Sequence, residues 1–496
     1  MSQQYQKYHT NNSDLFLRSK RFSITYGQLY RFTNKFRAEL KKCTTTTAQT
    51  DCIVLYLKES ELSVVVIAAC WLSNITFIPC SSMWNKTEIN QRLKQVDYDL
   101  IVTTADLQNN LSMSTKPTCL VRMDWLKKTE SPTLQVYDYD DKSSIFAKIF
   151  TSGSTGTPKL VPLSRQQMYL AATASSQRIV LEHNMFWLLC LPLHHIGGVA
   201  IILRALISGS AVFFSYPFKP DTILDVLHKY QGTKIVSLVP TMLHRLLRID
   251  HQNRLSELRA ILIGGGPINR SLVDEAVNRR VPIFLSYGMT ETCAQIASRR
   301  VESSHIESNQ EPGLSILPPN KVEIRDKNLD PMPPEKKGFI WLKGPQVFEG
   351  YEDGAINKKS FDGEGWFYTH DYGWVDGAGN LHIAERADDV IITGGENVMA
   401  REVEQHLIKL PDVIDAAVIG VPDEEWGQRI VAYIVPADDF SNGKKISRNA
   451  VRSQLKSTLS SYKLPQEVQI TRSLPKTSLG KTKKNLLKDK YPNGLL

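Results

Sequence analysis

Cysteine is scarce in this 496-residue chain. The seven residues, Cys43, Cys52, Cys70, Cys80, Cys119, Cys190 and Cys293, are odd in number, irregularly spaced and include no CxxC pair. That argues against a disulfide framework and a structural zinc site, and for free thiols in a reducing compartment, so a cytoplasmic location is expected. Long apolar runs are also lacking. The longest, "SVVVIAACWLSNITFIPC", contains Ser, Asn and Thr and reads as a buried helix running into a strand, not as a membrane span. The opening "MSQQYQKYHTNN" has no apolar signal core. An acidic surplus is absent: 60 Lys and Arg against 51 Asp and Glu leave a net charge of +9. Such a balance concentrates anions near a cleft, whether nucleotides, coenzymes, nucleic acid or anionic lipid. No basic patch is interleaved with aromatics and no zinc-finger spacing occurs, which leaves nucleic-acid binding with little support. The Lys-rich "GKTKKNLLKDK" near the C-terminus reads as a solvated helix face. Internal repeats are missing, and the short "CTTTTAQT" loop is the one low-complexity stretch.

Hydrophobic residues make up 42% of the chain and charged residues 22%, values of a soluble globular protein of two to four domains. Short apolar runs such as "DCIVLYL", "DLIVTT", "KIVSLVP" and "LRAILIGG" alternate with amphipathic segments such as "PDTILDVLHKY" and "SLVDEAVNRR". This alternation predicts α/β layers with largely parallel sheets. After Arg300 the texture changes. "NKVEIRD", "GFIWLKG" and "NLHIAERADDVIIT" read as strands separated by turns without intervening helices, a β-rich subdomain over about 301–387. The remainder, 388–496, reads as a small α+β module of αββα type.

Four motifs carry polar chemistry. In "KIFTSGSTGTPKLVP", Gly153 and Gly156 permit close backbone approach; Thr151, Ser152, Ser154, Thr155 and Thr157 offer donors, and Lys159 a positive charge. The stretch suits a polyphosphate, and on composition alone it suits a plain linker as well. It is not a Walker A loop, because Pro158 stands where the second glycine is needed and no Ser or Thr follows Lys159. In "SYGMTETCAQ", an apolar strand delivers Tyr287, Thr290 and Glu291 to its carboxyl end, where ligands of open α/β sheets sit. Tyr287 could stack on a base, and Glu291 is a hard oxygen ligand suited to Mg²⁺. In "YTHDYGWVDGAGNLHIAERADDVIITGGENV", Asp371 could accept both hydroxyls of a ribose and Arg386 could add a donor, with Gly394 and Gly395 in a tight turn. In "LPKTSLGKTKK", Lys481 follows a glycine on a loop.

The four motifs, in this order and over nearly the whole chain, resemble the acyl-adenylate-forming superfamily: acyl- and aryl-CoA synthetases, firefly-luciferase-like enzymes and the adenylation domains of nonribosomal peptide synthetases. The resemblance implies a large N-terminal domain (1–387) and a small mobile C-terminal domain hinged near Asp388 in "RADD". It implies formation of an acyl-AMP from an acid and MgATP, then transfer of the acyl group to the thiol of coenzyme A. By the resemblance, Thr151–Lys159 holds the β- and γ-phosphates, and Tyr287 covers the adenine opposite Gly265 and Gly266. Thr290 touches the α-phosphate, Glu291 holds Mg²⁺, and Asp371 with Arg386 binds the ribose. Lys481 bridges carboxylate and α-phosphate in the first half-reaction, and the Gly394–Gly395 turn faces the coenzyme A tunnel after rotation. The chain departs from the usual pattern at His370 (Gly), Ala400 (Pro), Lys484 (Arg) and in "PGLSILPP", which lacks a second glycine.

The acid-pocket motif is "LPLHHIGGVA", with His195 and Gly197, and Gly264 assigned to the same pocket. Relatives that activate amino acids place an Asp here to pair with the ammonium; a buried ammonium without a carboxylate costs several kcal/mol. His195 therefore argues against an α-amino acid, while leaving aromatic contact, carboxylate donation and a core role open. "YGMTETCAQ", "ILIGGGP" and "KLVP" resemble most the o-succinylbenzoate–CoA ligases of menaquinone biosynthesis. Another aryl or fatty acid is the alternative, and a non-catalytic nucleotide-binding relative a third. The oligomeric state is left open.

Overall fold

The structure, a computed structural model, describes residues 12–43, 51–111, 116–126, 144–151, 159–183, 185–230, 232, 234–266, 268, 270–304, 313–386, 389–393, 396–423, 426–437, 448–456, 458–477 and 480–489. By contacts the chain divides into two units: Met1–Lys321 with Lys343–Ser360, and Val322–Leu342 with Phe361–Leu496. No helix among the described residues is long and apolar enough to cross a membrane.

The first unit is built on two sheets. One has nine strands in the order Ser315–Ile316, Ala297–Arg300, Ile283–Tyr287, Ala260–Ile263, Lys234–Leu238, Phe186–Leu189, Ala211–Phe214, Leu15–Arg18, Ser23–Thr25. Its six consecutive members from Ile283–Tyr287 to Leu15–Arg18 run parallel, as the strand–helix alternation predicts. Parallel strands covered on both faces are apolar throughout, and Ala260–Ile263 and Lys234–Leu238 are buried at every position. The other sheet has six strands, with Cys52–Leu57 and Thr76–Ser81 in parallel at its centre and the antiparallel pair Ile145–Thr151 and Lys159–Ser164 at one edge. The apolar run at 63–80 is the helix Glu61–Ser73 followed by the strand Thr76–Ser81, joined through Asn74 in the left-handed conformation. The helix carries apolar residues on every side because it is buried nearly all round.

The second unit holds a four-stranded sheet, Lys321–Arg325, Gly338–Lys343, Phe367–Val375 and Leu381–Arg386, in sequence order. Its observed pairs are antiparallel. The expectation of strands without intervening helices fails at one place: Gly354–Ser360 is a short helix, and it belongs to the first unit. A five-stranded sheet follows, centred on the long pair Val413–Asp423 and Gly427–Pro436, with helices Ala400–Ile408 and Arg448–Leu455. Ile391, Val403, Val418, Ile430 and Leu455 join in one core, which is the expected αββα plan with an added hairpin and edge strand.

Candidate functional site

In the first unit the predicted residues gather at the carboxyl edge of the nine-stranded sheet. Register places Leu238 beside Ile263 and Ile263 beside Leu285, so the segments leaving these strands emerge side by side. Gly264, Gly265 and Gly266 follow Ile263, and Tyr287 ends its strand. A Cβ on Gly264 would lie 2.6 Å from the Ser286 hydroxyl oxygen, and Gly265 has φ +76°; the polar turn therefore needs glycine at both positions.

Thr290, Glu291 and Thr292 form a 3₁₀ turn directly beyond Tyr287. Cys293 and Ala294 then take φ of +54° and +84°, which folds the chain back on itself. The fold is so tight that a Cβ on Gly288 would be 1.5 Å from the Ala294 carbonyl oxygen. Two left-handed non-glycine residues are costly, and a buried network holds them. Gln346 Nε2 donates to the Thr292 carbonyl at 2.9 Å and to the Gln295 carbonyl. The Ser175 hydroxyl and Arg204 Nη2 donate to Gln295 Oε1 at 2.7 and 3.3 Å. Arg204 is fully enclosed over the Trp187 ring, and burial lowers its pKa to about 10.

The phosphate-loop motif meets this turn through a residue that sequence reasoning missed. Thr151 and Lys159 pair across the hairpin that the loop closes, while 152–158, which include Ser152, Gly153, Ser154, Thr155, Gly156 and Thr157, lie outside the described residues. Lys159 Nζ sits 5.0 Å from the centroid of the Tyr351 ring, and the Tyr351 hydroxyl donates to Glu291 Oε1 at 2.7 Å. The Phe348 amide donates to the Glu291 carbonyl at 2.8 Å, and Gln167 Nε2 to the Val347 carbonyl at 3.1 Å. The 346–351 segment is thus a strap that joins the two motifs. In sequence it looks like a loop in "QVFEGYEDG", and only its partners reveal the role.

The acid-pocket motif begins the helix Ile196–Ser208, with His195 at its N-cap. Its neighbour His194, not singled out in the sequence, is nearly buried and bonds Glu59 through Nδ1 at 3.0 Å. The His194 and His195 rings lie 4.3 Å apart. Burial raises the Glu59 carboxyl, but hydrogen bonds from His194, the backbone and Ser82 outweigh it and hold the group below its ordinary value. Gly197 is tight: a Cβ there would be 3.3 Å from Leu191 Cδ1, so a flexible side chain would have to give slightly.

In the second unit, Asp371 lies buried on the strand Phe367–Val375, opposite Arg386 in register. A β-bulge in pairing with Gly338–Lys343 spans 369–371, and His370 takes φ +58° there. That is why glycine is usual at this position: a bulge re-aims its neighbour and asks for a left-handed residue. His370 packs its ring 4.3 Å from Tyr368. Lys481 is exposed at the end of a turn, its amide donating to Thr477 Oγ1 at 3.1 Å and its carbonyl accepting from the Thr477 amide at 2.7 Å. Lys484 instead pairs with Glu404 at 2.9 Å and Asp389 at 3.7 Å, a structural role an Arg would also fill. Ala400 opens the helix Ala400–Ile408, the first-turn position where proline is favoured. Asp388, Gly394, Gly395 and the Arg386 side chain are outside the described residues.

The profile of the AMP-binding enzyme family matches residues 4–352, and that of the AMP-binding enzyme C-terminal domain matches 402–481. The chain belongs to the AMP-binding enzyme family. Among similar proteins of this family is the 2-succinylbenzoate–CoA ligase of Bacillus licheniformis, 32% identical over 94% of each chain. The 2-succinylbenzoate–CoA ligase of Staphylococcus epidermidis is 30% identical over 98% of this chain and 96% of its own. The structure of o-succinylbenzoate CoA synthetase from Bacillus subtilis with the acyl-adenylate intermediate OSB-AMP superposes with a TM-score of 0.85, at 27% identity over 99% of both chains. ATP-bound MatB of Rhodopseudomonas palustris, 23% identical over 98% of each chain with a TM-score of 0.84, shares the fold. The mixed α/β architecture with a large N-terminal part and a smaller C-terminal one is that of the family.

Proposed function

We propose that this AMP-binding enzyme is an ATP-dependent acid–CoA ligase acting on o-succinylbenzoate in menaquinone biosynthesis. The observation that carries the adenylation chemistry is the link from Lys159 through Tyr351 to Glu291, which unites a phosphate-loop lysine with a metal-type carboxylate at one sheet edge. The full-length similarity to 2-succinylbenzoate–CoA ligases supports the acid. Free thiols, the solubility of ATP and coenzyme A and the +9 charge fit a cytoplasmic enzyme.

Glu291 fits Mg²⁺. Tyr351 occupies Oε1, which leaves Oε2, and among the described residues no group of three or more His, Cys, Asp or Glu is placed to hold a metal ion by itself. An ion held by one carboxylate, phosphate oxygens and water is the common Mg²⁺ arrangement. Bound there, it neutralises charge on the phosphates.

In the first half-reaction a carboxylate oxygen of the acid attacks the α-phosphorus, and the bond to the β-phosphate oxygen breaks with pyrophosphate taking the electron pair. Lys159 and Thr151–Thr157 steady that leaving group. Tyr287 with Gly265 and Gly266 holds the adenine, Asp371 with Arg386 the ribose, and Thr290 the α-phosphate. Lys481 offsets the repulsion between the two anions it brings together. In the second, the coenzyme A thiolate attacks the acyl carbon and AMP leaves. We take 1–387 and 388–496 as the moving parts, with the hinge at Asp388 and the Gly394–Gly395 turn entering for thioester formation. His195, Gly197 and Gly264 line the acid pocket.

A panel of o-succinylbenzoate, benzoates and C4–C16 fatty acids with ATP and coenzyme A, read as acid-dependent ATP–pyrophosphate exchange and as thioester, tests the reading. Selective turnover of o-succinylbenzoate is expected. Preference for another acid refutes the substrate assignment, and absence of exchange with every acid refutes adenylation.

A further inference from the structure

A second anion-binding cleft stands at the opposite edge of the same nine-stranded sheet. It encloses about 710 Å³ and is lined by Arg178, Arg259, Arg280, Arg299 and Arg300. Topology puts them together. Arg178 ends the helix Arg165–Arg178, Arg259 precedes the strand Ala260–Ile263, and Arg280 precedes Ile283–Tyr287. Because Ala297–Arg300 runs antiparallel to Ile283–Tyr287, Arg300 faces Phe284 at the amino end while Ala297 faces Tyr287 at the carboxyl end. Three residues along a strand separate the ends by about 10 Å, so the cleft is distinct from the nucleotide motifs.

The charge is one-sided. Five arginines and a single carboxylate residue, Glu302, make up the charged lining. Arg178, Arg259, Arg280 and Arg300 form no ion pair among the described residues. The cleft also has a buried polar floor: Ser298 is 0% exposed, lines the cavity, and its hydroxyl has no hydrogen-bond partner among the described residues. An unpaired buried hydroxyl costs free energy and is satisfied by a ligand oxygen or by water.

We propose that this cleft binds a small oligophosphate anion, such as the phosphate chain of a nucleotide or coenzyme or an inorganic polyphosphate. Guanidinium forks match phosphate oxygens two at a time and keep their charge at any physiological pH. The volume is that of a small-molecule cleft, whereas an acidic protein partner would need a broad surface rather than a concavity. The Ser298 hydroxyl donates to the innermost phosphate oxygen, and Glu302 restricts entry to the side away from it.

The probe is inorganic tripolyphosphate, titrated calorimetrically into the full-length protein. A Lys159→Ala background weakens binding at the nucleotide motifs and isolates the cleft. One event is expected to remain there, weakened at least tenfold by Arg259→Ala with Arg280→Ala and by Arg178→Ala with Arg300→Ala. Ser298→Ala, which keeps the volume, should weaken it about threefold. With Lys159 intact, both arginine pairs should retain acid-dependent ATP–pyrophosphate exchange within twofold. Absence of the event in the Lys159→Ala protein overturns the proposal, as does unchanged affinity in both arginine pairs. Exchange that falls in step with binding also overturns it, by making the cleft part of the nucleotide site. Adenosine 5′-triphosphate, coenzyme A and inorganic polyphosphate as competitors then separate the sources of the phosphate chain. Loss of all exchange in the wild type would refute the proposed ligase activity and leave this binding test standing.

Discussion

Two turns carry the charged groups of the proposed mechanism, and their surroundings differ. The Tyr287–Gln295 turn is half-buried at its start and buried at Glu291–Cys293 and Gln295, strained at Cys293 and Ala294, and braced by Gln346, Gln295, Arg204 and Tyr351. In the Thr477–Lys481 turn Lys481 is exposed and Thr477 half-buried, and the Lys481 amide and carbonyl both bond Thr477. Glu291 is only 9% exposed, whereas Lys481 faces solvent. On the proposed roles, groups that hold phosphate and Mg²⁺ charge in a fixed place benefit from preorganisation. On the proposed mechanism Lys481 is needed in one half-reaction only, and its exposed position is compatible with that.

The largest expected effect breaks the lysine side of this contrast. Lys481→Ala should slow acyl-AMP formation by roughly 10²–10³-fold, the scale of one positioned charge-stabilising donor, while coenzyme A transfer from supplied acyl-AMP stays largely intact. Equal loss in both half-reactions, measured separately, would show that the lysine serves both. Asp388→Pro comes next: restricting the proposed hinge should depress thioester formation about tenfold more than adenylation, and an unchanged ratio argues against rotation.

The braced side should respond in both halves and in stability. Gln346→Ala leaves the Thr292 and Gln295 carbonyls without their donor and should cost about 1–3 kcal/mol of unfolding free energy. Adenylation and thioester formation should then fall together; a loss confined to one half would remove the distinction drawn above.

Acid gives a smaller, signed effect. The Glu59 carboxyl is held below its ordinary value by His194, and Asp376 falls to about 2 through His382, Asn380 and backbone amides against the upward push of burial. A folded pKa below the unfolded one stabilises above the unfolded value and is lost as pH falls through the folded one. Denaturant melts should therefore lose stability from about pH 4.5 downwards, and Glu59→Gln should flatten the upper part of that decline. A wild-type profile with no slope between pH 5 and 3 would count against the His194 bond. The smallest effect concerns the bulge: His370→Gly should change stability by less than about 1 kcal/mol, since relieved strain offsets glycine's added chain entropy. His370→Val should cost more, because a β-branched residue at φ +58° is disfavoured. Equal melting temperatures for the two would show that the bulge relaxes.

Much of this is legible in the sequence. The parallel sheets follow from apolar runs of strand length, and the motifs follow from glycine, hydroxyl and charge spacing. The departures at His370, Ala400 and Lys484 are visible as letters, but their meaning is not. His370 needs a dihedral angle, Ala400 a helix start and Lys484 two carboxylates, Glu404 and Asp389. Tyr351, Gln346, Glu59 and His194 escape because each acts through a partner distant in sequence: Tyr351 lies 60 residues from Glu291, and Glu59 lies 135 from His194.

The sequence by itself determined the family and the order of strands and helices, because local spacing and polarity encode these. Only the tertiary structure decided what braces the Tyr287–Gln295 turn, why a histidine replaces a glycine beside Asp371, and that five arginines share one cleft. Those are properties of chain segments brought together by sheet register, and no local pattern records which segments will meet.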